Sequence, residues 1–430
     1  MKSIATLLSF FLLAAPASFA ADAPPPNVLL IISDDHAWTD YSFMGHKTVR
    51  TPAIDRLASQ SLAFPRGYVP SSLCCPSLAS IITGLYPHQH KVTSNDPPKP
   101  AAMRPGDFQK SDAFKAGREV MAKHLEAVPT LPRVLKEKGY LSLQTGKWWQ
   151  GHYSRGGFTH GMTQGKRHGD EGLEIGRKTL DPIYAFADDA KRQGKPWLVW
   201  YAPLLPHDPH TPPAELLEKY KGKTDSIHVA RYYAMVEWFD QTVGALTAYL
   251  DRTGQADNTI VVYLADNGWV QSPDNPRYAP RSKQSQFDGG LRTPLLVRWP
   301  AKVKPATSDR LASSVDIMPT LLTAAGLRPT ADMQGINLLD GAAVGARTTI
   351  YGEVFTHNAV DLDVPASSLR YRWVIENNLK LIVPHKANEP AGAVELYDVI
   401  KDPDERENLA AKDAAAVGRL SGKLDGWWRP

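Results

Sequence analysis

The two cysteines of the chain, Cys74 and Cys75, are adjacent and lie among small and apolar residues. Neighbouring residues are about 3.8 Å apart at Cα, which is closer than the range of about 4.4–6.8 Å across a usual disulfide. Either both are small buried thiols, which pack well in protein cores, or Cys74 takes part in chemistry. Ser77 and Gly84 are typical of the two ends of a helix. We therefore expect Cys74 just before a helix N-terminus, where anions bind.

Two polar pairs follow two apolar runs of the kind seen in buried parallel strands. One run, near the start of the chain, ends in Asp34 and Asp35, and the other is followed by Asp266 and Asn267. Ligands collect outside the carboxyl ends of strands in open α/β sheets, so the two pairs are expected to meet there. Oxygen ligands favour a hard cation, and Ca²⁺ fits better than Mg²⁺ because it tolerates irregular oxygen cages. The alternative is a helix N-cap beside a solvated carboxylate.

Two further side chains are placed where they could act on an anion. Lys147 follows a short predicted strand, 140–144, and a lysine at a strand end can bind an anion. His207 lies between Pro206 and Pro209, which stiffen its loop. A solvated surface histidine is the alternative interpretation of His207.

The cysteine stretch resembles the signature of the type I sulfatases of the alkaline phosphatase superfamily, which reads Cys-x-Pro-Ser-Arg and, a few residues on, Thr-Gly. The matching residues are Cys74, Pro76, Ser77, Thr83 and Gly84. In that family a maturation enzyme oxidises the first cysteine to formylglycine, whose hydrated aldehyde is the nucleophile. The resemblance therefore implies that Cys74 becomes formylglycine and that a formylglycine-generating enzyme is a partner of this chain.

The same resemblance implies roles for the other candidate residues. Sulfatases hold Ca²⁺ with an Asp-Asp pair after the first strand and an Asp-Asn pair late in the domain. Lys147 matches the lysine of the Gly-Lys-Trp-His motif, His207 the histidine of Pro-His-x-Pro, and Lys283 a lysine before the Glu-Gly-Gly-x-Arg-x-Pro motif. The implied catalytic residues are thus Cys74, Lys147, His207 and Lys283, and the implied metal ligands are Asp34, Asp35, Cys74, Asp266 and Asn267.

Three positions depart from the motifs of the family. Leu78 stands where the signature has an arginine that guides the maturation enzyme and supports the formylglycine. Trp149 replaces the histidine of Gly-Lys-Trp-His, and Asp288 replaces the glutamate of the later motif. His152 and His160 lie close enough in sequence to substitute for the missing histidine, although an isolated histidine is more often structural. The departures leave two questions open: whether the signature cysteine is converted, and which group removes the last proton.

The apolar runs and the resemblance predict one fold. Residues 21–340 are expected to form a catalytic domain with a large mixed, mostly parallel sheet flanked by helices, as in alkaline phosphatase. Residues 341–430 are expected to form a small antiparallel sheet plus a helix, with a hairpin turn at residues 377–378. Residues 97–123 are rich in proline and lysine and show little periodicity, so a surface excursion near the cleft is expected there.

The first twenty residues are typical of a signal peptide, with Lys2, an apolar run and small residues at the cleavage positions. No later stretch approaches the roughly 18 uninterrupted apolar residues of a membrane span. We therefore expect an exported protein, periplasmic or secreted, without a membrane span after signal removal. The net charge of +4 is spread over interleaved lysine, arginine, aspartate and glutamate, which does not indicate nucleic-acid binding.

Together these patterns predict an exported sulfatase that hydrolyses sulfate monoesters, with sulfated carbohydrates as substrates. A hydrolase of phosphomonoesters, phosphodiesters or phosphonates from the same superfamily is one alternative, because the metal cage suits either anion. A noncatalytic binder of sulfated glycans is another, to which Leu78 and Trp149 point.

Overall fold

The computed structural model describes residues 24–430, so the predicted signal peptide lies outside the described residues. The strands are β1 Asn27–Ser33, β2 Leu62–Phe64, β3 Gly67–Tyr68, β4 Leu141–Gly146, β5 His160–Gly161, β6 Trp197–Ala202, β7 Thr259–Ala265, β8 Leu295–Arg298, β9 Ala306–Thr307, β10 Ala312–Ser313, β11 Thr349–Phe355, β12 Leu369–Glu376, β13 Leu379–Pro384 and β14 Glu395–Asp398.

The α-helices are α1 Pro52–Ser59, α2 Cys74–Thr83, α3 Pro87–His90, α4 Pro105–Phe108, α5 Asp112–Glu126, α6 Leu131–Leu135, α7 Asp181–Arg192, α8 Ala214–Tyr220, α9 Ile227–Arg252, α10 Asp288–Leu291, α11 Ile317–Ala324, α12 Gly341–Ala346, α13 Pro365–Ser368 and α14 Ala414–Trp427. Short 3-10 segments span Ser42–Met44, Lys136–Lys138, Tyr153–Gly156, Arg167–Glu174 and Ser314–Asp316. In the described part of the chain, no helix is both long enough and apolar enough to cross a membrane.

One large sheet organises the N-terminal three quarters of the chain, with strand order β5-β4-β6-β1-β7-β8-β2-β9. The pairs from β5 to β7 are parallel, β8 runs antiparallel to both β7 and β2, and β9 pairs parallel with β2. The predicted mixed, mostly parallel sheet is confirmed. Its central strand is β1, which lies directly between β6 and β7.

Both faces of this sheet are covered, which explains why its central strands are apolar without alternation. Leu30 and Ile32 of β1 pack with Trp200 on one face. Leu29 and Ile31 pack into a separate apolar cluster on the other face. All the residues of β6 and β7 are buried, so the polar residues that follow these strands are held on a rigid edge.

The C-terminal part forms the predicted small antiparallel sheet, with strand order β11-β12-β13-β14, and α14 packs on it. The turn between β12 and β13 contains Asn377 at a φ of 51°, a left-handed conformation that asparagine tolerates well. Leu420 and Leu424 of α14 pack against Val374 and Leu381 of the sheet. The boundary at residue 340 remains a prediction.

The helix after the cysteines begins earlier than the sequence suggested. Leu73, in an extended conformation, precedes it, and Cys74 is its first residue rather than a residue outside it. The backbone N–H of Ser77 donates to the Leu73 carbonyl at 3.1 Å, so Ser77 lies inside the helix and is not its cap. Pro76 is tolerated because the first N–H groups of a helix have no partner within it. Gly84 ends the helix at a φ of 66°, as predicted.

The segment 97–123 is more regular than its sequence indicated, because α5 covers Asp112–Glu126. The hydroxyl of Ser111 accepts a hydrogen bond from the backbone N–H of Phe114 and caps this helix. Phe114, Met121 and Leu125 are its buried face. Their helical spacing was obscured by the charged residues between them.

Candidate active site

The two polar pairs meet at one edge of the large sheet because β1 and β7 are neighbouring parallel strands in register. The backbone N–H of Asp35 donates to an Asp266 carboxylate oxygen at 3.1 Å, and the Asn267 amide donates to Asp35 at 2.6 Å. Oxygen atoms of Asp34, Asp35 and Asp266 lie within 4.8 Å of one another. The convergence expected from the strand ends is present.

Two buried lysines balance this acidic cluster. The ammonium of Lys147, which follows β4, lies 2.6 Å from Asp34. The ammonium of Lys283 lies 2.6 Å from Asp35. Both ammonium groups are buried and hold their protons: burial alone would lower the pKa of Lys147, but Asp34 raises it above its ordinary value. Buried charges are tolerated only when they are paired in this way.

Three oxygen atoms of the cluster remain without a partner. One oxygen each of Asp34, Asp266 and Asn267 is buried and makes no hydrogen bond within residues 24–430. Buried polar atoms normally have partners, so unpartnered buried oxygens beside three clustered carboxylates are what a bound cation requires. Burial, followed by the charge of Asp34, raises the pKa of Asp266 well above its ordinary value. The residues present therefore fit a hard divalent cation, whose charge would relieve this repulsion.

The carboxylate of Asp35 behaves in the opposite way. Burial tends to raise its pKa, but Lys283, then His207 and then Lys147 lower it well below its ordinary value. Asp35 is thus a permanent anion between cations, and it links the metal-site residues to His207.

Cys74 faces the same cluster from the first turn of α2. Its sulfur lies within 4.8 Å of an Asp34 oxygen and a His207 nitrogen, and the side chain is 1% exposed. Burial raises the pKa of the thiol to about 12, although Lys147 and Lys283 act in the other direction. The thiolate is the reactive form of cysteine, so an unmodified Cys74 is a weak nucleophile at neutral pH.

His207 points into the cluster, and His210 does not. His207 Nε2 lies 3.4 Å from Asp35, and Nδ1 lies 3.0 Å from a carboxylate oxygen of Asp208. His210 packs instead against the rings of Tyr232 and Trp269, at centroid distances of 5.3 and 5.7 Å.

These side chains border a small cavity of about 190 Å³, here called the central pocket. Its lining residues are Cys74, Asn95, Trp149, Arg167, His168, His207, Asp208, Trp269, Arg277, Tyr278, Lys283, Gln284 and His357. The pocket therefore brings together Cys74, His207 and Lys283, with Lys147 bound to Asp34 beside them.

One histidine of this pocket, His168, was missed by the sequence reasoning. Its imidazole lies edge to face with the Trp149 ring at a centroid distance of 4.3 Å and is 6.2 Å from the His207 ring. Burial, then the charges of Lys147 and Arg167, lower its pKa well below 6.5. It lies in an irregular segment at a φ of 74°, where no periodic pattern could have indicated its direction.

The two histidines considered as substitutes for the missing motif histidine do not reach the central pocket. His152 Nδ1 is hydrogen-bonded to the Ser154 hydroxyl at 2.8 Å. His160 is exposed and lies beside Phe186, at a centroid distance of 5.2 Å. Neither residue lines the central pocket.

The other two departures from the motifs lie outside the central pocket. Leu78 is 4% exposed and packs in the apolar cluster beneath α2. Asp288 is fully buried and links the short β3–β10 pair to the C-terminal sheet, since it accepts hydrogen bonds from the Tyr68 hydroxyl and the Lys380 ammonium, each at 2.8 Å. The aspartate at position 288 therefore has a structural role, through these hydrogen bonds, and does not line the central pocket.

Two family models match the chain. The model described as Sulfatase matches residues 26–327, and the model described as N-sulphoglucosamine sulphohydrolase, C-terminal, matches residues 281–424. The chain therefore belongs to the sulfatase family and is a sulfuric ester hydrolase.

Individual relatives agree with this assignment. The chain is 29% identical to the human N-acetylgalactosamine-6-sulfatase, over 74% of this chain and 66% of that protein. It is 26% identical to an ulvan-active sulfatase of Formosa agariphila, over 91% of this chain and 77% of that protein. The crystal structure of Ps i-CgsB shares the fold, with a TM-score of 0.75 and 22% identity over 94% of this chain and 92% of that one.

Proposed function

We propose that this chain hydrolyses sulfate monoesters of sulfated carbohydrates with a formylglycine made from Cys74 and a Ca²⁺ ion. The ion would be held by Asp34, Asp35, Asp266, Asn267 and the modified residue 74. The observation that carries the proposal is the set of three unpartnered buried oxygens on Asp34, Asp266 and Asn267, with the Cys74 sulfur within 4.8 Å of an Asp34 oxygen. Support for a carbohydrate substrate comes from the human relative, which is named for a sulfated amino sugar.

The cation would neutralise the ester oxygens, and the hydrated aldehyde would supply two hydroxyls on one carbon, one to attack sulfur and one to release sulfate. Lys147 and Lys283 add two fixed positive charges beside the position where negative charge develops. Both lysines are already held by carboxylates, so they need not reorient during the reaction. This fixed arrangement is the main electrostatic contribution of the protein.

His207 is the proposed acid that protonates the leaving alcohol. Its Nδ1 is held by the backbone carbonyl and the carboxylate of Asp208, at 2.5 and 3.0 Å. That contact fixes the ring and directs Nε2 towards Asp35 and the pocket. A positioned acid of this kind contributes about 10²–10⁴-fold to a rate.

His168 is the proposed acceptor of the last proton, the role that the motif histidine leaves open at Trp149. The guanidinium of Arg167 donates to His168 Nε2 at 2.7 Å, so the neutral ring carries its hydrogen on Nδ1. The depressed pKa keeps the ring neutral at neutral pH, which is the form that can accept a proton. Proton uptake at Nε2 would break the contact with Arg167.

Export is also part of the proposal, and it rests on the sequence of residues 1–20. The proposed partners are a sulfated carbohydrate and a formylglycine-generating enzyme. A maturation enzyme that requires the signature arginine would convert Cys74 poorly, because Leu78 occupies that position.

The decisive experiment combines peptide mass spectrometry around Cys74 with parallel turnover of aryl sulfate, phosphate and phosphonate esters. We expect turnover of the sulfate ester in proportion to the converted fraction, and none in a Cys74→Ala control. A fully unconverted protein with undiminished turnover, or faster turnover of phosphate or phosphonate than of sulfate, would contradict the proposal.

A further inference from the structure

The central pocket is small, and two larger pockets adjoin it. Its volume of about 190 Å³ is below the range of about 300–1,000 Å³ of typical ligand sites, so it encloses little beyond the ester group. Outer pocket A, of about 520 Å³, shares Trp149 and Arg167 with it. Outer pocket B, of about 610 Å³, shares Asp208 and Arg277 with it. Among residues 24–430 no residue lines both outer pockets, so they leave the central pocket on different sides.

Outer pocket A is cationic. Arg118 and Lys166 line it, and neither has a carboxylate within 4.0 Å among the described residues. One guanidinium nitrogen of Arg118 is buried without a hydrogen-bond partner. The acid of this pocket, Glu119, is already bound to Arg155. The Trp149 ring forms the wall towards the central pocket, and the Arg118 guanidinium lies 5.3 Å from its centre.

Outer pocket B also has uncompensated positive charge. Arg231 and Arg277 line it, both are exposed, and within the described chain neither has a carboxylate within 4.0 Å. His210 and His228 also line this pocket, and each has a buried ring nitrogen without a hydrogen-bond partner among the described residues. Arg277 lies at the junction with the central pocket, and the other residue shared there, Asp208, turns its carboxylate to His207 Nδ1 at 3.0 Å.

We infer that the three pockets form one cleft for a linear, multiply sulfated carbohydrate chain and that the enzyme removes sulfate from internal sugars. The inference rests on the proposed function, which places the reacting ester in the central pocket. A site restricted to chain ends would be closed on one side, whereas this one continues on both. Cations without acidic partners in each outer pocket match the anionic groups of the neighbouring sugars.

Binding to the Cys74→Ala protein tests the cleft without turnover. The probes are sulfated galacto-oligosaccharides of two, four and six sugars, with the unsulfated hexasaccharide and single-stranded DNA for comparison. Each added contact between exposed charges is worth about 1.4- to fivefold in affinity, so the sulfated hexasaccharide should bind about tenfold more tightly than the disaccharide. Equal affinity along the series, or tighter binding of the DNA, would overturn the inference.

Single substitutions in each outer pocket test where the additional sugars bind. Lys166→Gln in outer pocket A and Arg231→Gln in outer pocket B should each weaken hexasaccharide binding about two- to fivefold and leave disaccharide binding less affected. Lys304→Gln and Arg328→Gln are matched controls, because both residues are exposed, line none of these pockets and have no carboxylate within 4.0 Å among the described residues. All four side chains are at the surface, so the variants are expected to fold. If the control variants weaken hexasaccharide binding as much, the outer pockets are not the binding site.

Turnover by the unaltered enzyme separates this inference from the proposed function. A sulfated hexasaccharide blocked at both ends should still lose internal sulfate. If the enzyme turns over a small aryl sulfate but not the blocked chain, the inference of internal desulfation is wrong and the proposed function stands. Length-dependent binding without turnover of any sulfate ester contradicts the proposed function alone.

Discussion

His168 and Trp149 line the central pocket together, with their ring centroids 4.3 Å apart. The two rings meet edge to face at an interplanar angle of 80°, and the backbone N–H of Trp148 donates to the His168 carbonyl at 2.9 Å. The segment Arg167–Glu174 thus runs back along the end of β4. An imidazole reaches the central pocket from a second segment of the chain.

The His168→Asn variant should lower kcat about 10²-fold and change KM little, because the proposed proton transfer follows substrate binding. The measurement is steady-state turnover of an aryl sulfate across pH. The matched control is His160→Asn, which alters an exposed histidine outside the central pocket and should retain the rate. An unchanged kcat in folded His168→Asn would remove this residue from the mechanism.

The His207→Ala variant should lower kcat/KM by about 10²-fold or more on an ester with a poor leaving group. The loss should be smaller on an activated aryl sulfate, whose leaving oxygen needs less protonation. Comparing the two esters therefore tests the role as an acid, and not merely the presence of the ring. A loss of equal size on both esters would indicate a positioning role through Asp35.

Removal of divalent cations should abolish turnover and destabilise the fold. Asp34, Asp35 and Asp266 repel one another when no cation lies between them. Adding Ca²⁺ at about 100 times its Kd should raise the free energy of unfolding by about 2.7 kcal/mol, measured by thermal or denaturant unfolding. Mg²⁺ should restore less of both stability and activity. Full activity after exhaustive chelation would disprove the metal site.

The Leu78→Arg variant should raise both the formylglycine fraction and the sulfatase activity in a generic expression host. An arginine supplies a permanent charge with five donors, whereas leucine offers only packing. Because Leu78 is buried, activity must be normalised to folded protein, and Leu78→Met serves as a control that keeps the packing. Complete conversion of the unaltered protein, with no gain from the arginine, would show that the site is complete with leucine.

The stability of the protein should fall as the pH drops below 6.5, and His90 should contribute to this. His90 is buried, its Nδ1 accepts from the backbone N–H of Val92, and its Nε2 donates to the Ser80 hydroxyl. Burial lowers the pKa of His90 to about 3, against 6.5 for the free side chain. Between these values the unfolded state binds more protons than the folded state, so the stability present above pH 6.5 is lost progressively towards pH 3.

The measurement is the free energy of unfolding of the unaltered protein and of His90→Gln between pH 7 and pH 4. One proton contributes a slope of up to about 1.4 kcal/mol per pH unit. The variant should have a shallower slope by that amount, whatever its absolute stability. Parallel pH profiles for the two proteins would show that His90 takes up its proton without unfolding.

The sequence predicted the site best where the functional residues directly follow a buried strand. Buried parallel strands read as continuous apolar runs, and their carboxyl ends share an edge, so the meeting of Asp34 and Asp35 with Asp266 and Asn267 followed from the pattern alone. The mixed sheet and the C-terminal antiparallel sheet were predicted from such patterns together with the resemblance to the sulfatases.

The rest depended on contacts between distant segments. His168 reaches its position through a segment with a φ of 74° at that residue, and neither periodicity nor a capping pattern encodes such a path. The start of α2 at Cys74 depends on Leu73 and not on a capping side chain, so the Ser77 signal was misleading. The structural role of Asp288 could not be predicted because its partner, Lys380, lies 92 residues further along the chain.

The pairing of β1 with β7 has a consequence for the order of events during synthesis. Asn27 and Thr259 are partners in this pairing although they are 232 residues apart. At about 5–20 residues per second, β7 leaves the ribosome roughly 12–46 s after β1, and closing so long a loop is intrinsically slow. The edge that buries Cys74 is therefore completed late. Cys74 precedes Thr259 by 185 residues, so for about 9–37 s of each molecule's synthesis it belongs to an unfinished chain. That interval is when the proposed formylglycine-generating enzyme would reach it.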